Sequence, residues 1–144
     1  MAAGASGEHK CISWGGDEDG SGWIQLPNGM HLKYPKLRKA RNEEKGYEEW
    51  TYESGEVRKK IYGGLLCENI VQALARIIVG EQMLMIDKKY RCVMTTHDEV
   101  VAHPKLRVAE KCYQFMYQCM TTPLWWCPDI PLAAEGGWAE NYSK

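Results

Sequence analysis

The sequence runs to 144 residues, of which 44% are hydrophobic and 26% charged, enough for one globular domain and too apolar for a disordered chain. A formal net charge of -1 excludes a chain that binds nucleic acid through overall positive charge. Averaging hides a stripe from His31 to Arg41, where Lys33, Lys36, Arg38, Lys39 and Arg41 occur without an acid, and such a stripe can meet phosphates.

The six cysteines form no C-x-x-C pair and none stands beside a histidine at zinc-finger spacing. The start MAAGASGEHK lacks the apolar core of a signal peptide, and no apolar run reaches the roughly 18 residues that span a membrane. These features suit a cytosolic chain with reduced, buried thiols and no membrane partner.

In chain order, residues 1–22 are rich in Gly, Ala, Ser and acids and read as a flexible segment, set at 1–21 ahead of a domain over 22–144. Within it, DEDGSG places oxygens at Asp17, Asp19 and Ser21, like the start of a calcium loop. The twelfth position is Asn28 rather than the bidentate Glu such a loop needs. GWIQLPNGMHLKYP predicts a β-hairpin with a two-residue Asn28-Gly29 turn, and WTYESGEVRKKIY a second hairpin turning at Ser54-Gly55.

A helix is expected over about Leu65 to Ile78. Cys67, Ile70, Val71, Leu74, Ile77 and Ile78 make one apolar face, and Glu68, Gln72 and Arg76 an opposite polar stripe. Gly80 is expected to end or bend it. Asp87-Lys88-Lys89 reads as a turn, followed by β-rich Tyr90 to Thr96, then His97-Asp98-Glu99, then β-rich Val100 to Ala102. A second amphipathic helix follows Pro104 to about Met120, with one short strand near Ile130 to Ala134 in the tail. This order predicts an α+β fold: an antiparallel sheet with packed helices.

The hairpin tip VMTTHDEVVAH carries two adjacent carboxylates, Asp98 and Glu99. On an extended strand neighbouring side chains point to opposite faces, so the pair chelates one ion only if the turn bends them together. A hard cation such as Mg²⁺ takes one or two carboxylates plus phosphate oxygens and water. The tip therefore supplies one strong ligand and a helper, and a further carboxylate must come from elsewhere. Taken alone the string equally describes a solvated turn, just as the Glu68–Gln72–Arg76 stripe equally describes a solvated helix face.

The upstream context adds to this. YGGLLCENIVQALARIIVGEQML followed by YRCVMTTHDEVVA resembles the C-terminal palm of phage-type family A DNA polymerases, the DNA polymerase I family. More loosely, LPNGMHLKYP is similar to the hairpin that precedes this helix in the family, and PDIPLAAEGGWAENY to its final palm strand and tail. The resemblance covers roughly residues 22–144 and implies a palm-type sheet. It implies that His97-Asp98-Glu99 is motif C, with Asp98 a catalytic metal-binding aspartate, Glu99 supporting the metal site and His97 near the primer terminus. It also implies that Gln72 contacts DNA near the primer-template junction, with Glu68 and Arg76 on the same stripe.

The same resemblance implies Mg²⁺, in a two-metal site completed by an aspartate outside this chain. The implied partners are primer-template DNA, deoxynucleoside triphosphates, and a second polypeptide bringing motif A, motif B, fingers and thumb. It further implies replication in the cytoplasm of an infected bacterial host. Motif A has no counterpart here, since Asp17 and Asp19 stand in a Gly-rich stretch expected to have no strand before them. Motif B is missing too: Tyr62-Gly63 imitates its Tyr-Gly pair, but Ser54 stands eight residues back. Leu65 occupies a place where phage relatives commonly carry a lysine. Lys36, Arg38 and Lys39, with Lys59 and Lys60, are expected phosphate-backbone contacts or, alternatively, a charged edge that keeps the sheet soluble. The rival to a catalytic reading is a DNA-binding or assembly module that retains the palm scaffold.

Overall fold

The computed structural model describes residues 6–43 and 46–142. The chain divides into two compact units, one up to Leu74 and one from Ala75 onward, with the boundary inside a single helix.

The first unit holds two antiparallel sheets. Four strands, β1 (Gly7–His9), β2 (Ile12–Gly16), β3 (Gly22–Gln25) and β4 (His31–Tyr34), pair in sequence order. Three more, β5 (Arg38–Arg41), β6 (Glu48–Ser54) and β7 (Val57–Ile61), make the second sheet. The glycine-rich start is thus a strand pair from Gly7 onward, not a coil. Its glycines explain why. Gly7 lies opposite Trp14 and Gly15 opposite Trp23, and a Cβ at either glycine would come within 2.6 Å and 2.5 Å of the facing indole. Each bare backbone is covered by a cross-strand tryptophan, so the glycines serve a sheet rather than a linker.

The turns differ in detail from expectation. Leu26 accepts from the Gly29 amide at 2.9 Å and donates to the Met30 carbonyl at 2.7 Å, so Pro27-Asn28-Gly29 is a three-residue loop. Only Gly29 has positive φ, +83°, as expected for a type I turn with a left-handed bulge residue and Pro at its first corner. In the next hairpin Ser54 still pairs with Val57, which moves the turn one residue on, to Gly55-Glu56.

The core of this unit is Ile24, Tyr34 and Ile61, with Trp14, Leu32, Trp50, Tyr52, Leu66 and Ile70 among the side chains packed on it. Tyr34 meets Tyr52 edge-on at 5.2 Å, and its hydroxyl accepts from Asn69 Nδ2 at 3.2 Å. Burial raises the Tyr34 pKa. The buried phenol is thereby satisfied.

Helix α1 (Gly63–Asp87) spans 25 residues and passes straight through Gly80. A glycine inside a helix costs about 1 kcal/mol relative to alanine. Continuation offsets that cost, because Ile78, Gln82 and Ile86, at i, i+4 and i+8, are all buried. By length and composition alone the fused helix is apolar enough to cross a membrane, with a mean hydropathy of 1.3, although Glu68, Arg76 and Glu81 interrupt it and no continuous apolar run reaches that length.

In the second unit α1 ends at Asp87, whose Oδ1 accepts from the Cys92 amide at 2.9 Å and so ties the helix end to the next strand. Strands β8 (Cys92–Thr96) and β9 (Glu99–Ala102) form a separate two-stranded hairpin. A 3₁₀ turn (Leu106–Val108) leads into α2 (Ala109–Thr121), which buries Ala109, Cys112 and Cys119. Gln82 is fully buried and donates from Nε2 to the Met120 carbonyl at 2.9 Å. Tyr90 meets Phe115 edge-on at 5.8 Å. The strand expected near Ile130 to Ala134 is irregular chain, since Pro128 and Pro131 remove two ladder donors around it. The α+β class stands, with three antiparallel sheets among the described residues where one was expected.

Candidate functional site

The β8–β9 hairpin is built tightly. Thr96 pairs with Glu99, leaving His97 and Asp98 as a two-residue turn. His97 has a φ of +52°, in the left-handed region where histidine is tolerated better than branched residues but at a cost of about 1–3 kcal/mol. Positive φ at the first turn position alone is the type II′ pattern, whose usual occupant is glycine. Beyond the next two pairs, Thr95–Val100 and Met94–Val101, a bulge intervenes: Cys92 pairs with Ala102, so Val93 is extra. Such bulges re-aim the side chains that follow them.

His97 and Asp98 are exposed, and Glu99 is half-buried. Two side chains from distant parts of the chain reach this tip. Arg76 on α1 donates from Nη1 to the His97 carbonyl at 3.2 Å. Tyr142, near the end of the chain, donates its hydroxyl to Glu99 Oε2 at 3.2 Å. A second tail contact is the Trp138 indole donating to Glu110 Oε2 at 3.0 Å. That bond and the Gln114 amide hold the Glu110 carboxyl below its usual range, the Gln114 bond contributing most. Sequence reasoning missed Tyr142 and Trp138. Their signal was an aromatic pair set in a Gly-, Ala- and Glu-rich tail with no apolar period of its own.

Along α1, Glu68, Gln72 and Arg76 are all exposed. Gln72 donates from Nε2 to Glu68 Oε1 at 3.0 Å, one helical turn back. Arg76 is committed to the His97 carbonyl through one of its five N–H donors.

Two cations of the basic stripe, Lys36 and Lys39, are paired, as are Arg58 and Lys60 further along. Lys36 meets Glu53 at 2.9 Å and Lys39 meets Glu48 at 3.6 Å; Arg58 meets Glu53 at 3.2 Å and Lys60 meets Glu49 at 3.0 Å. The Lys36 hydrogen bond is the leading cause that lowers the Glu53 pKa. Cross-strand placement produces three of these pairs, since β5 carries Lys39, β7 carries Arg58 and Lys60, and β6 between them carries Glu48, Glu49 and Glu53; Lys36 reaches Glu53 from the turn before β5. Arg38, on β5, is exposed. Reading the run His31–Arg41 alone could not show the acids folded beside it.

Around Asp17–Gly22 the oxygens that suggested calcium are engaged internally. Asp19 accepts from the Ser21 amide at 2.8 Å and from its hydroxyl at 3.0 Å, and Asp17 Oδ1 accepts from the Trp23 indole at 3.1 Å. The Ser21 amide is the chief cause that lowers the Asp19 pKa. The segment is the loop between β2 and β3, so a strand does precede Asp17, contrary to expectation, and a strand rather than a helix follows.

Among the described residues no group of three or more His, Cys, Asp or Glu side chains is placed to hold a metal ion. What the β8–β9 tip offers is one exposed and one half-buried carboxylate, a donor chemistry suited to a hard cation that takes its remaining oxygens elsewhere.

Comparison with known proteins bears on this tip. The chain is 36% identical over 133 residues to a DNA polymerase of Bacillus phage SP02, an alignment that covers 88% of this chain and 20% of the polymerase. The chain is homologous to a segment of a DNA polymerase. It spans about a fifth of the length of that relative. No protein-family model matches the chain, and no solved structure matches it.

Proposed function

We propose that this chain is the C-terminal palm portion of a family A DNA polymerase and contributes half of the site for template-directed nucleotidyl transfer. The observation that carries the reading is the β8–β9 tip: a tight His97-Asp98 turn, closed by Thr96 and Glu99 and reached by Arg76 from α1, in a chain with a polymerase homologue.

On this reading Asp98 is the metal ligand and Glu99 its neighbour, the two carboxylates that would hold Mg²⁺ together with an aspartate from outside these 144 residues. Mg²⁺ bound there would stabilise charge developing on the phosphate oxygens as the primer 3′-hydroxyl attacks the α-phosphate of a deoxynucleotide. The protein's own residues do the placing. The turn exposes Asp98 toward the reacting groups, Tyr142 orients the Glu99 carboxylate, and His97 lies beside the primer terminus. Gln72, with Glu68 fixing its amide, faces the primer-template duplex, and Arg38, exposed on β5, is a cation of the basic stripe available to a phosphate. These residues act with motifs A and B, fingers and thumb supplied from outside this sequence, in the cytoplasm of an infected bacterium.

The test is primer extension by the 144 residues alone and with a polypeptide carrying motifs A and B. Extension is expected only from the mixture. Loss of several kcal/mol of transition-state stabilisation makes Asp98→Ala at least about a thousandfold slower in that mixture. Robust extension by the chain alone defeats the half-site reading. Unchanged extension by Asp98→Ala favours instead a DNA-binding or assembly module that retains the scaffold.

A further inference from the structure

We propose that Arg76 is a positioning residue for the Asp98 turn, holding the peptide between His97 and Asp98 so that the carboxylate is presented in one direction. The catalytic consequence rests on the reading that Asp98 ligates metal; the structural hold does not.

The argument begins with the turn class. Two-residue hairpin turns come in two related forms, distinguished by the orientation of the central peptide. With glycine at the first position either form is accessible. Here that position is His97, at φ +52°, and no residue after it in the turn has positive φ. These φ signs match the type II′ form, built around a residue that type II′ turns seldom accept. The alternative, type I′, is reached by flipping the central peptide, and it moves the second residue to positive φ. That flip would reverse the His97 carbonyl and tilt the Cα–Cβ bond of Asp98 without breaking the Thr96–Glu99 pairing.

The oxygen that moves in such a flip is the His97 carbonyl, and it is this oxygen that accepts from Arg76 Nη1 at 3.2 Å. A charged donor on a backbone oxygen is stronger than a neutral one, and α1 is a rigid base for it. Arg76 therefore selects between the two turn forms. Its own position follows from the helix: the chain ahead of Ile77 and Ile78, both buried, is locked in rotation, which fixes where the Arg76 side chain starts. One of the Arg76 N–H donors is thus taken by the turn.

The experiment has one arm that needs no polymerase activity. Backbone chemical shifts and the amide–Hα couplings of His97 and Asp98 are measured in the full chain by NMR. Arg76→Met is expected to shift these resonances or split them into two sets, while amides near Gln82 and Cys112 stay in place. Arg76→Lys, which keeps a charged donor, is expected to recover most of the wild-type pattern. If Arg76→Met does not fold, Arg76→Gln serves, and its 97–98 signals are read in the same way. Unchanged signals at His97 and Asp98 in a folded Arg76 variant overturn the proposal.

The second arm uses the reconstituted complex. Arg76→Met is expected to raise the Mg²⁺ concentration for half-maximal extension several-fold with primer-template affinity unchanged. Weaker DNA binding with unchanged Mg²⁺ dependence makes Arg76 a DNA contact and overturns the positioning role. A wild-type complex that never extends a primer defeats the polymerase reading, and the NMR arm then still decides whether Arg76 holds the turn.

Discussion

Tyr142 and Glu99 are joined by a hydrogen bond of 3.2 Å across 43 residues of sequence. The bond makes the irregular tail part of the β8–β9 tip. An exposed hydrogen bond contributes about 1 kcal/mol at most, so Tyr142→Phe is expected to leave thermal stability nearly unchanged. If Glu99 must be oriented for function, the same variant slows extension by the reconstituted complex roughly fivefold, the kinetic equivalent of about 1 kcal/mol. Steady-state extension rates beside a melting curve check this. A loss of stability without a loss of rate would make the contact merely structural.

Gln82 offers the opposite case, a polar side chain 1% exposed whose amide satisfies the Met120 carbonyl at the end of α2. Gln82→Leu keeps the volume and removes the donor, leaving a carbonyl without that partner. The expected cost is about 1–3 kcal/mol. Gln72→Leu, on the exposed stripe of the same helix, is expected to change stability by no more than about 0.5 kcal/mol. Urea titrations of the two variants check the contrast, and equal midpoints would show that Gln82 is not satisfied as described.

The sequence made some of this visible and hid the rest for physical reasons. The period of α2 was legible because one face is apolar and buried, and that of α1 only in part, since Ile77 and Ile78 are buried while Cys67 and Val71 of the expected face are exposed. The β8–β9 turn was legible because HDE stands between β-rich runs. Gly80 misled, since the local cost of one glycine is smaller than the burial of Ile78, Gln82 and Ile86 around it. The first strands were hidden because glycines 7 and 15 look like linker residues until the facing tryptophans are known. Lys36 and Lys39 looked like free charge because their acids, Glu53 and Glu48, lie on another strand. Arg76 was placed on the right face of the right helix, but its partner is a backbone carbonyl, which no side-chain pattern encodes.

Gly15 gives a direct check on the tryptophan cover. An added Cβ would meet Trp23 Cζ2 at 2.5 Å, inside any tolerable contact. Gly15→Ala is expected to destabilise by about 1–3 kcal/mol, the usual cost of overpacking. Gly20→Ala is a comparison with space around it but positive φ, so its cost comes from backbone strain alone. Combining Gly15→Ala with Trp23→Leu removes the clash, and the pair is expected to cost less than the sum of the single changes. Strict additivity in a double-mutant cycle would show that the indole does not press on Gly15.

Alkaline pH probes the second unit. Burial is the leading cause that raises the thiol pKa of Cys92, Cys112 and Cys119 above an ordinary value of 9.0. Cys112 and Cys119 are buried, and the Cys92 thiol lies 3.7 Å from the Met83 carbonyl. The unfolded chain therefore loses these protons first. Above pH 9.0 it binds fewer protons than the native state, and stability falls as pH rises. Below that value the contribution of the three thiols is fully present, and it is lost as pH climbs through their raised folded values. Melting temperatures measured across the alkaline range are expected to decline, with a shallower slope in Cys112→Ala and Cys119→Ala even though each variant starts lower because of its cavity. A slope unchanged by either substitution would mean that other groups, such as the buried phenol of Tyr34, carry the alkaline loss.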